Sequence, residues 1–206
     1  MKVSLTDAGK RFNRDWIFRH LNYHFEEGNS YAIIGPNGSG KSTLLQVLSG
    51  SMQLNEGDGR WTMDDGPLAI EKIFNCISIC APYLEVIEEM TVKEFLEFHH
   101  RFKPFLSSVT IDSIISIVGL EKAVHKQIRY YSSGMKQRVK LAQAIFSDVP
   151  VVLLDEPCTN LDLTGVGLYH QLINDYCKKR LVIVSSNDEV EYRFCKEKIN
   201  ISDYKN

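Results

Sequence analysis

Tyr31-Ala32-Ile33-Ile34-Gly35-Pro36-Asn37-Gly38-Ser39-Gly40-Lys41-Ser42-Thr43 is the stretch whose reading decides the fold. Its four leading apolar residues have the character of a parallel strand buried on both faces. The residues that follow satisfy G-x-x-x-x-G-K-[ST], lying after a strand and at the head of a helix over 41–49. Glycines allow consecutive backbone N–H groups to turn inward on phosphate oxygens, and the helix start adds its partial positive charge. In such a loop Lys41 bridges the β- and γ-phosphates of a nucleotide and Ser42 gives its hydroxyl to Mg²⁺. A turn serving the fold alone would leave Lys41 without a role.

Outward from this loop the chain alternates strand and helix patterns. Val151-Val152-Leu153-Leu154 and Leu181-Val182-Ile183-Val184 are further continuous apolar runs of strand length. Val3-Ser4-Leu5-Thr6 and Leu21-Asn22-Tyr23-His24-Phe25 alternate with period two, which predicts half-buried antiparallel strands. Helices are predicted over 92–102, behind a Thr91-x-x-Glu94 capping box, and over 111–118 and 134–146. The pattern is α/β, with an antiparallel patch at the start and a helical insert in the middle.

Composition fits this picture. A chain of 206 residues, 44% hydrophobic and 24% charged with net charge −2, suits one soluble domain (1–206) and offers no global field for nucleic acid or an anionic membrane. Five scattered cysteines and a Met1-Lys2-Val3-Ser4 start without an apolar signal stretch point to free thiols in a reducing cytoplasm. No apolar run is long enough to cross a bilayer, so service to a membrane must go through a partner. His99-His100 is a poor metal pair, because helix neighbours point about 100° apart.

The second apolar strand ends in Asp155-Glu156-Pro157. Adjacent strand residues point opposite ways, so Asp155 suits Mg²⁺, together with Ser42, while Glu156 suits orienting or deprotonating an attacking water. Upstream, Tyr131-Ser132-Ser133-Gly134-Met135-Lys136-Gln137-Arg138 opens an amphipathic helix; Ser132 and the first N–H groups of that helix form a second anion site. Lys136, Arg138 and Lys140 read as its solvated face.

With these parts in order, the chain resembles the nucleotide-binding subunit of an ATP-binding cassette (ABC) transporter: phosphate loop, a version of the L-S-G-G-Q signature at Tyr131–Met135, the acidic strand end, and Thr159-Asn160-Leu161-Asp162 in the place of the D-loop. The resemblance implies a P-loop NTPase with a RecA-like parallel sheet and a helical subdomain over roughly 84–135. It implies an ATPase using ATP and Mg²⁺, and a head-to-tail dimer, homo- or heteromeric. Each ATP would lie between Gly35–Thr43 of one subunit and Ser132, Ser133, Gly134, Met135 and Asp162 of the other. Phe12 falls where the family stacks an aromatic on adenine, with Ile17 as its apolar neighbour and Trp16 as its rival. Separate membrane permease subunits are the implied partners, which places the chain in the cytoplasm on the inner face of the cell membrane. The acidic stretch Glu85, Glu88, Glu89 beside Tyr83 and Leu84 lies where the family meets them.

Two departures from the family stand out. Pro82 occupies the position of a glutamine that meets Mg²⁺ and the membrane partner, and Asn187 stands for a histidine after the third apolar strand. An asparagine amide can hydrogen-bond a γ-phosphate but carries neither a proton nor a charge in exchange, so slow hydrolysis is expected, with Glu156, Lys41 and Asn187 as the catalytic set. A cytosolic relative acting on nucleic acid or ribosomes is the alternative. It is disfavoured by the short interval from Lys41 to Ser132 and by the lack of a basic, aromatic-laced strip, so no nucleic acid is expected. A lone P-loop kinase or GTPase would leave Ser132–Met135 unexplained.

Overall fold

The computed structural model of the chain describes residues 1–205. In chain order it contains β1 (Lys2–Phe12), β2 (Asp15–Glu26), β3 (Ser30–Ile34), α1 (Lys41–Leu48), β4 (Glu56–Met63), β5 (Gly66–Pro67), α2 (Ile73–Cys76), β6 (Ile77–Cys80), α3 (Val92–Phe102), α4 (Ile111–Ile117), α5 (Ser133–Phe146), β7 (Val151–Asp155), α6 (Leu163–Tyr176), β8 (Leu181–Ser185), α7 (Glu189–Tyr192) and β9 (Glu197–Asn200). Two sheets result. One is antiparallel, in the order β2-β1-β4-β5; the other is parallel, in the order β6-β7-β8-β3-β9.

The parallel sheet lies between two cores, which explains its continuous apolar runs. Val152, Leu154, Val182 and Val184 point into a core shared with α3, α4, α5 and α6. Their sequence neighbours Val151, Leu153, Leu181 and Ile183 point the other way, into a core shared with α1 and the antiparallel sheet. The period of two is still present, but both faces are apolar, so it leaves no polar mark. Each such side chain gains about 1.5–3 kcal/mol from burial. The antiparallel strands cover only one core, and Val3, Leu5, Leu21 and Phe25 are buried while their alternates are not.

The predicted helices are present with small shifts. Thr91 and Glu94 form the reciprocal capping box of α3, and α5 begins at Ser133, one residue before the expected start. Thr110 and Ser113 build a second box at α4. Elements the sequence hid are β4, β5, β6, β9, α2, α6 and α7. β6 carries Ser78 inside a buried strand, where its hydroxyl donates to the Ala144 carbonyl at 2.7 Å. The first turns of α6 hold Gly165 and Gly167, which weaken a helical pattern.

Candidate functional site

The loop after β3 emerges at the carboxyl edge of the parallel sheet, where open α/β sheets bind ligands. One cavity there is lined by Ile17, Asn37, Gly38, Gly40, Lys41, Ser42, Thr43 and Glu156. Two glycines are required by the close packing. Gly40 has φ +106°, and a Cβ on it would collide with Ile17; Gly35 has φ +149°, and a Cβ would stand 2.8 Å from Ser39 Oγ. Lys41 is buried, its Nζ donating to the carbonyls of Gly35 (3.0 Å) and Pro36 (3.2 Å), so the loop holds its own cation over the cavity.

Asp155 ends β7 beside Ser185 of β8. Only 2% of it is exposed, and its Oδ1 has no hydrogen-bond partner among the described residues. A buried carboxylate oxygen without a donor is costly and is expected where a cation completes the site. The donor set fits Mg²⁺: hard oxygens from Asp155 and Ser42, with too few side chains for a full cage, leaving positions for phosphate and water. Glu156 turns out of the strand with φ +44°, a left-handed conformation rare outside glycine and typical of functional turns, and its N–H donates to Ser185 O at 2.9 Å. Asn187 Nδ2 donates to Asn37 Oδ1 at 3.1 Å, which puts the amide against the phosphate loop.

Behind these groups lie residues the sequence did not flag. Glu191 is buried and accepts the Cys158 N–H at 2.7 Å; burial raises its carboxyl above the ordinary range, with the neighbouring Asp188 and Glu156 adding to the effect. In the sequence it looks like one of several acids opening a solvated turn. At the Pro82 position, Lys140 Nζ donates to Pro82 O at 3.1 Å, and burial pushes the pKa of the neighbouring Tyr83 up.

The signature stretch is built differently. Ser132 caps α5, its hydroxyl accepting the Met135 N–H at 3.3 Å. Gly134 faces the Asn160 carbonyl so closely that a Cβ would stand 2.9 Å from it. Buried Gln137 donates to Pro157 O at 2.7 Å, tying α5 to the segment after the acidic strand end. Asp162 caps α6 through the Gly165 N–H (2.7 Å) and lies 3.7 Å from Arg138. Ser133, Lys136, Gln137, Lys140 and Asn160 line a cavity that shares no residue with the phosphate-loop cavity. The signature and the loop of one chain are therefore not brought together.

Lys136, Arg138 and Lys140 do not form a solvated face: each is partly buried and engaged, with Glu88, with Asp162 and with the Ala81 and Pro82 carbonyls. The reason is that α5 packs between the sheet and the insert, leaving it little free surface. Phe12 sits at the tip of the β1–β2 hairpin, 47% exposed, and does not line the phosphate-loop cavity, whereas Ile17 does. Both rings carry cations: Trp16 faces the guanidinium groups of Arg19 (4.6 Å) and Arg11 (5.4 Å), and Phe12 faces Lys10 Nζ (5.5 Å). His99 and His100 serve the fold. His99 contacts Ser147 and Gln143, burial pushing its pKa down to about 4, and His100 accepts the Phe105 N–H.

Comparison with known proteins gives a consistent result. A family model described as ABC transporter matches residues 18–159. The cytochrome c biogenesis ATP-binding export protein CcmA of Rhizobium meliloti (strain 1021) is 31% identical over 192 residues, covering 92% of each chain. An uncharacterized ABC transporter ATP-binding protein of Bacillus subtilis (strain 168) is 29% identical over 190 residues, 92% of this chain and 86% of that one. Among solved structures, a putative ABC transporter ATP-binding protein from Pyrococcus furiosus superposes with TM-score 0.81 at 23% identity over the full length of both chains. A dimeric ATP-binding cassette in a post-hydrolysis state with ADP and Pi gives 0.82 at 24% identity, covering 98% of this chain and 94% of that one.

Proposed function

The chain belongs to the ABC transporter family as an ATP-binding, energy-coupling subunit, and from that membership we propose a two-copy motor that hydrolyses ATP slowly and drives separate membrane permease subunits. The observation that carries this reading is the phosphate-loop cavity, where Lys41, Ser42 and Glu156 meet beside the unpartnered Asp155 carboxylate. Lys41 and the loop N–H groups bind and orient the β- and γ-phosphates. Ser42 and Asp155 are the residues that would hold Mg²⁺. Bound there, the ion would supply charge neutralisation for the transferring phosphoryl group. Glu156 positions the attacking water and takes its proton, and the neutral Asn187 amide hydrogen-bonds the γ-phosphate without adding charge.

The signature end completes the cleft from a second copy. Ser132, Ser133, Gly134 and Met135 would present the amino end of α5 to the phosphates held by its partner, and Asp162 would support that approach from its cap. Separate cavities for the two motifs support this arrangement. Phe12 is the adenine platform. No described helix is long and apolar enough to cross a membrane, so attachment to the inner face would run through the permease, with exposed Tyr83 and Leu84 and the Glu85, Glu88 and Glu89 stretch as the docking patch. ATP turnover by purified protein, with and without Glu156→Gln, tests the reading. A strong fall with retained ATP binding supports it; unchanged turnover overturns the role of Glu156.

A further inference from the structure

A second cavity, of about 390 Å³, opens at the opposite edge of the parallel sheet from the nucleotide cleft. Its walls come from the amino ends of β3 and β8, the last turns of α6 with the following turn, and the segment leading into β9. Thirteen residues line it, among them four cations, Lys178, Arg180, Arg193 and Lys196, and His170, whose pKa is pushed down by burial and by the nearby Arg193. Among the described residues, no Asp or Glu lines it. In a chain with 24 Lys and Arg against 26 Asp and Glu, that segregation makes a local positive concavity.

Two polar atoms here lack partners. Arg180 is only 8% exposed; its Nη1 donates to the Ile145 carbonyl at 2.7 Å, but its buried Nη2 has no hydrogen-bond partner among the described residues. His170 Nε2, on a ring 6.2 Å from that of Phe194, is likewise buried and unpartnered. Asp148 shares a neighbouring cleft with Arg180 and does not line this cavity. An unsatisfied buried guanidinium N–H costs more than a neutral donor, and a small turn of the Arg180 fork toward an oxyanion in the cavity would satisfy it. Beside the cations, Ile173 and Phe194 supply apolar wall.

We propose that this cavity binds a small organic oxyanion, its head received by Arg180, Arg193 and Lys196 and its apolar body resting on Ile173 and Phe194. The site is separate from the ATP reading and stands or falls without it. The test is an amide-resolved NMR titration of the whole chain with phenyl phosphate and with benzoate, in the presence of ADP to occupy the phosphate loop. Saturable shifts at Ser30, Lys178–Val182 and Arg193–Lys196 are expected with at least one probe, and the tighter probe identifies the head group. Arg193→Gln with Lys196→Gln, both exposed and outside the nucleotide cleft, should weaken binding about tenfold with melting unchanged. Inorganic phosphate, the head alone, should bind about tenfold more weakly than phenyl phosphate. Shifts confined to Gly38–Thr43, or affinity unaltered in the double variant, would overturn the site. Equal binding of inorganic phosphate would overturn the role of the apolar wall.

Discussion

The phosphate loop and the signature helix are both helix amino ends, yet the chain finishes one and leaves the other open. At α1 the loop brings its own lysine, its own glycines and two acidic residues from the end of β7 to a single edge of the sheet. At α5 the capping hydroxyl is used within the helix, and Lys136 and Arg138 are paired inside the chain with Glu88 and Asp162. One end can bind a nucleotide alone; the other can act only on a ligand that something else delivers. On the reading proposed above, a protein built this way would bind ATP as a monomer and work as a pair.

Substitutions on the two sides should therefore fail in different ways. The largest effect is expected from Glu156→Gln: ATP turnover falls about 10²- to 10⁴-fold, while ATP affinity measured by calorimetry stays within a few-fold. Retained turnover would remove Glu156 from the chemistry. On the signature side, Gly134→Val forces a side chain against the Asn160 carbonyl and should cut turnover about tenfold or more with little change in the affinity of the isolated chain for ATP. A parallel loss of affinity would mean that α5 serves its own phosphate loop, contrary to the contrast drawn above. Asn187→His restores an ionisable group against the loop and should raise turnover several-fold in steady-state assays. An unchanged rate would mean that this position does not limit hydrolysis.

The smallest expected effect concerns stability. Burial raises the Glu191 carboxyl, so its contribution is fully present below the ordinary carboxylate pKa and is lost as pH rises through the raised value. Glu191→Gln, which keeps an acceptor for Cys158 N–H, should therefore gain on the wild type as pH rises from about 4 to about 7 in thermal melts. A difference in melting temperature that is flat with pH would show that Glu191 titrates as an ordinary surface acid.

Most of the fold was legible because the two-sided burial of β7, β8 and β3 writes unmistakable apolar runs, and because Thr91 and Glu94 mark a helix start chemically. β6 and β9 were not legible: Ser78 and the charged Glu197-Lys198 break the apolar pattern, and only pairing with neighbouring strands makes them strands. At the site, Lys41, Ser42, Asp155 and Glu156 announce themselves by motif, since their spacing is fixed by a loop and a strand end. Glu191, Gln137 and Lys140 do not, because their partners Cys158, Pro157 and Pro82 lie far away in the chain and only folding supplies them. The same distance in sequence hid the engagement of Lys136, Arg138 and Lys140.

On the proposed reading a working cleft takes its phosphate loop from one copy and its signature from another, and mixing two inactive variants puts that arrangement to the test. Lys41→Ala and Gly134→Asp each spoil one half of every cleft in a homodimer, so either variant alone should turn over almost no ATP. Mixed in equal amounts they form one intact composite cleft per mixed dimer, and turnover should recover to roughly a quarter of the wild-type rate per chain, the share expected from random pairing. A mixture of two folded variants that is no more active than its components would contradict the claim.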